Sequence, residues 1–284
     1  VTPRPGVLSK ASVDAAGTAG ARNAKRPRRN RSAAARLRDT LLSLLSLALV
    51  VLAWHVWSSS SGLLPTISEV ADAAEDFYTN PAIYQNIGAT FLRVVISVAI
   101  GLVLGLIGAI LSRRGGLVGQ IVDVYVSLAI AIPSTVAALL ALFIFHRSEV
   151  GVYAVVVLVI WPFMVLTLRG GLQLMDPKLD GMADVYNFSY ARRLRKVVVP
   201  QLTPYAFAAM RSENAHAWRV VVLAEVFAVN SGMGAQFTKA YDRFLIDEVV
   251  LWILTFIVIL LFVEYLVLRP LENHFMRWRF QDVR

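Results

Sequence analysis

The sequence predicts an all-α polytopic membrane protein with six transmembrane helices. Of its 284 residues 57% are hydrophobic and the mean hydropathy is +0.62, a composition too apolar for a soluble domain. Six apolar segments, near 41–57, 87–111, 117–146, 149–168, 204–228 and 249–269, suit a hydrocarbon core that takes about 20 helical residues to cross. Lys and Arg are also distributed asymmetrically among the loops. With the N-terminus inside, the inner segments hold ten before residue 40, then Arg113 and Arg114, six from Arg169 to Lys196 and four from Arg269 to Arg284. The outer loops hold only Arg147, Lys239 and Arg243. An N-in, C-in orientation is therefore expected.

Residues 1–38 are basic and rich in Ala, Pro, Gly and Ser, without an apolar period. They are expected to form a disordered cytoplasmic tail on anionic lipid headgroups rather than a nucleic-acid arm. The transmembrane domain then covers 39–284. The first apolar run ends in Trp54-His55-Val56-Trp57, not in small residues, so it is expected to remain as a span. The third carries Pro133 and should be kinked there. Between the first two spans Pro65 and Thr66 open a short amphipathic helix, with Ile67, Val70, Ala71 and Ala74 on one side and Glu69, Asp72, Glu75 and Asp76 on the other. This acidic helix is either a solvated cap or a docking site for a soluble receptor. In the second outer loop Gly232 and Gly234 permit a tight turn at a helix end. Gly101, Gly105 and Gly108 allow close helix approach in the second span.

Several chemistries are excluded. There is no Cys, hence no disulfide, thiolate nucleophile or Cys-based metal site. The four His lack ligand spacing. No G-x-x-x-x-G-K-[ST] loop occurs, so any ATP that drives this protein is bound by another chain. No nucleophile–base set falls on the spans.

Charges inside spans are costly and usually face protein or a water-filled path. Arg93 lies early in the second span and can either snorkel or face inward. In the fifth span, at about 100° per residue, His216 and Arg219 are neighbours while Glu225 lies on another arc. Arg93, His216, Trp218, Arg219 and Glu225 are candidate substrate-path residues, with a structural ion-pair network as the alternative. Glu225 has Arg219 or Arg93 as possible partners, and Arg219 can attract an anion.

The most patterned stretch is the inner loop 176–204. Leu179, Met182, Ala183 and Tyr186 share one helical face, and Tyr190, Leu194, Val197 and Val198 share another. This reads as helix, turn at Asn187, helix, and a stop at Pro200. With Arg192, Arg193, Arg195 and Lys196 alongside, the pair suits either a lipid surface or a soluble partner. Its spacing resembles the cytoplasmic "EAA" loop of ABC importer permeases, which reads E-A-A, three residues, G, nine residues, I, one residue, L-P. Gly181, Met182 and Ala183 take the first three positions, Asn187 the Gly, Val197 the Ile, and Val199-Pro200 the last two. Glu, the first Ala and Gly are replaced.

Over roughly residues 62–280 the chain resembles the permease family of nitrate, taurine and alkanesulfonate ABC importers. The features, in order, are Pro65-Thr66, Arg93, Gly101 to Gly105, the loop above, Arg211, Ala217-Trp218, Ala224-Glu225 and Gly232-Met233-Gly234. Where the family has a Gly-rich apolar turn after the third span, this chain has Phe145-His146-Arg147-Ser148-Glu149.

The resemblance implies a type I importer-like permease with a cytoplasmic coupling helix, in a bacterial plasma membrane. It implies two ABC ATPase subunits that bind ATP and Mg, a second permease (homodimer or heterodimer) and an extracytoplasmic substrate-binding protein. Gly181, Met182, Ala183, Tyr186, Asn187, Phe188, Arg192, Arg193 and Pro200 become the candidate ATPase-coupling residues, with Arg192 and Arg193 at the rim. The substrate leans toward a small organic or inorganic anion. An ion-gradient-driven secondary transporter is the alternative; it calls for internal repeats that are not visible here.

Overall fold

In the computed structural model the described residues are 33–61, 64–145 and 147–275, and all their regular structure is helical. The tail expected at 1–38 lies outside them as far as residue 32. Helix α1 (Ala33–Ser61) is described by itself; it already includes residues 33–38, and Ser58, Ser59 and Ser60 fold back on their own helix, as in Ser60 Oγ to the Val56 carbonyl at 2.8 Å.

The remaining helices are α2 (Ile67–Thr79), α3 (Pro81–Arg113), α4 (Gly116–Ala131), α5 (Ser134–Phe145), α6 (Glu149–Gln173), α7 (Pro177–Val185), α8 (Tyr190–Arg193), α9 (Val199–Ala228), α10 (Met233–Asp242), α11 (Ile246–Phe262) and α12 (Arg269–Phe275). By length and composition three described helices can cross a membrane, Pro81–Arg113, Glu149–Gln173 and Ile246–Phe275, or up to five if each of two bent pairs is one span.

Helix α6 is the centre of the packing, between α3 and α9. Val152, Val155, Val156, Ile160 and Met164 are all fully buried. The glycines of α3 permit this contact. A Cβ on Gly105 would come within 2.7 Å of Met164 Cβ, and one on Gly108 within 2.7 Å of Val165 Cγ2. Close backbone approach maximises dispersion contact where lipid supplies no hydrophobic drive.

Three expectations are corrected. The third apolar segment is not one kinked helix but two, α4 and α5, inclined at 106°. Ile132, directly before Pro133, is extended (φ −79°, ψ 127°), the state that the ring of a following proline favours, so the helix ends rather than bends.

The helix of the loop 176–204 does not stop at Pro200. It runs from α8 through a π-helical turn, Leu194–Val198, straight into α9. Val199 N–H reaches back to the Leu194 carbonyl, five residues away. That wider turn opens the ladder where the proline lacks an N–H and its ring would strike a carbonyl. The same device recurs at Val263–Leu268, ahead of Pro270.

On α2 the buried seam is Val70 and Phe77, while Ile67 and Ala71 are exposed. The reason is the partner: Phe77 meets Trp252 of α11 edge-on at 5.0 Å, and Tyr78 hydroxyl pairs with Thr255 at 2.7 Å. The start of α2 is a full capping box between Thr66 and Glu69.

Candidate functional site

The loop 176–204 is an internally braced bracket. Asp176 caps α7 by accepting the Lys178 N–H at 2.8 Å, and its own N–H donates to Gln201 Oε1 at 2.8 Å, fastening the loop's entry to its exit. Helix α7 ends in a Schellman motif. Phe188 N–H donates to the Ala183 carbonyl at 2.9 Å and Asn187 N–H to the Asp184 carbonyl at 3.0 Å, with Asn187 at φ 48°. Asn thus performs the conformational task of the glycine it replaces in the EAA pattern, because Asn tolerates the left-handed region better than other side chains. Asn187→Gly should leave loop stability intact, whereas β-branched Asn187→Val should lower it by about 1–2 kcal/mol; hydrogen exchange of the 177–198 amides measures both.

Across the turn, Arg193 bridges Asp180 at 3.1 Å and Asp184 at 2.8 Å. This residue, expected at the rim of a partner contact, holds α7 against α8. Arg192 lies 5.6 Å above the Phe188 ring. Ala183 and Val197 are buried, so they form the bracket's inner seam. Outward, Met182, Val185, Tyr186 and Tyr190 stand free, with Val185 80%, Tyr186 69% and Tyr190 83% exposed. Val185 was missed by sequence reasoning; its place off the helical stripe hid it. Gly181 is exposed with open space around it, and Pro200 lies in the first turn of α9.

A second cluster lies at the other end of α9. Arg93 is 3% exposed and neither snorkels nor faces open space. Its five N–H groups are all engaged: Nε and Nη2 to Glu149 at 3.0 and 2.6 Å, Nη1 to Glu225 at 2.6 Å and the Ser231 carbonyl at 2.9 Å, and Nη2 to Ser231 Oγ at 2.7 Å. Glu225, fully buried, also accepts Thr90 Oγ1 at 3.0 Å and Gly234 N–H at 2.9 Å.

Three leading amides of α10, those of Gly232, Met233 and Gly234, are claimed by side chains. Gly232 donates to Asn86 Oδ1 at 2.8 Å and Met233 to Thr90 Oγ1 at 2.8 Å. A carboxylate at a helix N-terminus, with three of the orphan N–H groups satisfied, is favourable on both counts. Gly232 has φ 100°, and a Cβ there would collide with the Glu225 carboxylate and Arg93. The cluster joins α3, α6, α9 and α10. Glu149 escaped the sequence reading, although an intramembrane arginine demanding a second counter-ion was the available signal.

The other candidate path residues diverge. Trp218 is fully buried between Phe91 and Phe256, at centroid distances of 6.3 and 6.1 Å. His216 is half-buried, with Nδ1 3.2 Å from Glu213 and its ring edge-on to Phe163 at 5.4 Å. Arg219 does not pair with Glu225. It points away, exposed, over an apolar cavity of about 310 Å³.

The apolar helices and bent pairs are those of a helical membrane protein. The sequence profile of the family described as binding-protein-dependent transport system inner membrane component matches residues 98–272. The chain is 25% identical over 221 residues to the nitrate import permease of Synechococcus elongatus, covering 73% of this chain and 78% of that one. It is 24% identical over 241 residues to a putative aliphatic sulfonates transport permease of Bacillus subtilis, covering 83% and 87%. The fold is similar to an inward-facing structure of the MetNI methionine ABC transporter, with TM-score 0.55, 18% identity, and 69% of this chain and 95% of that one covered. The chain belongs to the family of binding-protein-dependent transport system inner membrane components. It is a permease subunit of an ABC importer, without an ATPase site of its own, and the ion-gradient alternative finds no support.

Proposed function

We propose that this chain forms half of a substrate path, together with a second permease, and that its inner loop docks into one of two partner ATPases that bind ATP and Mg. The supporting observation is the bracket at 176–201: internally braced by Arg193, tied at its base by Gln201, and bearing an exposed apolar edge at Met182, Val185, Tyr186 and Tyr190. An exposed apolar patch on a stiff element suits a protein contact. A stiff element continuous with a span also passes motion on rather than absorbing it.

In this reading the chain crosses a bacterial plasma membrane six times with both termini inside, and lipid surrounds it. A soluble receptor delivers the substrate to the outer face. The substrate is a small anion, a reading supported by the relatives named for nitrate and aliphatic sulfonates. Within the path His216 and Arg219 are the accessible candidates. Arg93, Glu225 and Trp218 act as framework.

The orientation has a direct test, because a chain without Cys accepts single reporter thiols. In intact cells a membrane-impermeant maleimide should label Asp72→Cys and Arg243→Cys and spare Lys178→Cys until the membrane is opened. The reverse pattern contradicts the orientation.

A further inference from the structure

The charged cluster of Arg93 and Glu225 does not account for every polar group between α3 and α9. Three buried side-chain atoms make no hydrogen bond among the described residues: Ser97 Oγ of α3, and Asn214 Nδ2 and Trp218 Nε1 of α9. Ser97 and Trp218 are fully enclosed, and Asn214 is 5% exposed. A buried donor without a partner carries its whole desolvation cost, and such groups are rare in folded proteins.

Helix register brings the three together. Thr90 of α3 donates to Glu225 of α9 at 3.0 Å. Nineteen residues further along α3 and nineteen back along α9, Ala109 and Ala206 belong to one apolar packing with Leu168 and Ala209. The helices are therefore antiparallel, and the same register sets Ser97 opposite Trp218. Both lie seven residues from the Thr90–Glu225 pair, which returns each to nearly the same face. Asn214 follows Trp218 by one turn on that face. The Trp218 ring is held between Phe91 and Phe256, so its N–H cannot swing to a distant partner.

The chemistry of the trio selects what can join it. The two nitrogens only donate, whereas the serine hydroxyl donates and accepts. Two N–H donors repel a cation. An anion would lie buried without a counter-ion, because the guanidinium of Arg93 is taken by Glu149 and Glu225. Water accepts two hydrogen bonds and gives one back, and about three bonds are what a buried water makes.

We propose that the α3–α9 seam binds one ordered water, which accepts from Trp218 Nε1–H and Asn214 Nδ2–H and donates to Ser97 Oγ. A bridge of this kind is enthalpically close to a direct hydrogen bond. It ties the middle of α9 to α3, between the charged cluster and the apolar packing around Ala109. Nothing in this site depends on what the chain transports.

The test determines the structure of the full chain, with whatever subunits it retains, in lipid nanodiscs at a resolution that shows ordered solvent. One rounded peak is expected within about 3.2 Å of all three atoms. Unbroken side-chain packing without a peak overturns the proposal, as does a direct hydrogen bond between two of the three residues. A peak that strengthens when bromide replaces chloride identifies a halide and overturns the water. Ser97→Ala supplies an independent sign, since it deletes a single oxygen. With a bridging water the change leaves a water donor unpaired and should lower the unfolding midpoint by about 2–4 °C. Without one it removes an unpaired polar atom, so an unchanged or raised midpoint overturns the proposal. The wild-type density needs no variant and decides the matter even if Ser97→Ala does not fold.

Discussion

Arg93→Met is expected to destabilise the purified protein by about 3–5 kcal/mol, and Arg93→Met/Glu225→Gln to recover a substantial part of that loss. The asymmetry follows from where the counter-ions lie. Without Arg93, Glu149 turns to water, since its side chain is 55% exposed. Glu225 has no such recourse; its side chain is fully enclosed and keeps only two neutral donors, Thr90 and Gly234. A buried carboxylate without its cation is the large penalty. Gln at 225 removes the charge and keeps an oxygen for Gly234. Thermal unfolding in mild detergent gives the ranking: wild type, then the double variant, then Arg93→Met. A double variant no better than the single one places the cost elsewhere, in the five lost hydrogen bonds of the guanidinium itself.

Tyr186→Asp is expected to leave folding unchanged within about 0.5 kcal/mol while lowering ATP-driven uptake by tenfold or more. The side chain is exposed, the residue being 69% accessible, and its ring lies 6.5 Å from Phe188, its one aromatic neighbour among the described residues, so little of the chain's own packing is at stake. A partner's apolar cleft would lose a large contact and gain an unpaired charge, the kind of change that removes an interface anchor. Phe188→Asp should act in the same direction, with an added folding cost, because Phe188 is half-buried and Arg192 stacks over it. Uptake in vesicles, measured beside ATP hydrolysis, separates coupling from folding. Normal uptake by Tyr186→Asp ends its assignment as a coupling anchor.

Local signals were legible where one residue type dictates one backbone state. Asn187 announced the turn that it makes at φ 48°, and the α3 glycines announced a close neighbour that proved to be α6. Prolines were harder to read, since their effect depends on the turn before them. Pro133 ends a helix because Ile132 goes extended. Pro200 does not, because a π turn has already widened the ladder. Of the face expected on α2, Val70 is buried and Ala74 half-buried, but Ile67 and Ala71 are exposed and Phe77 was missed, because Trp252 and Thr255, nearly 180 residues on, choose the seam.

The same limit applied to the charges. Sequence alone left Glu225 between Arg93 and Arg219 as partners. Only the packing of α3 against α9, and the start of α6 with Glu149 beside them, decided for Arg93 and left Arg219 over its cavity.

The measurement that bears most directly on the account is purification of the protein from its native cell in mild detergent, followed by identification and quantification of every chain that accompanies it. The account predicts an ABC ATPase in equal amount, with one or two permease species, and loss of that ATPase when Tyr186 is replaced by Asp. A protein that emerges alone, or with its ATPase undiminished by Tyr186→Asp, contradicts the role given to the 176–201 bracket.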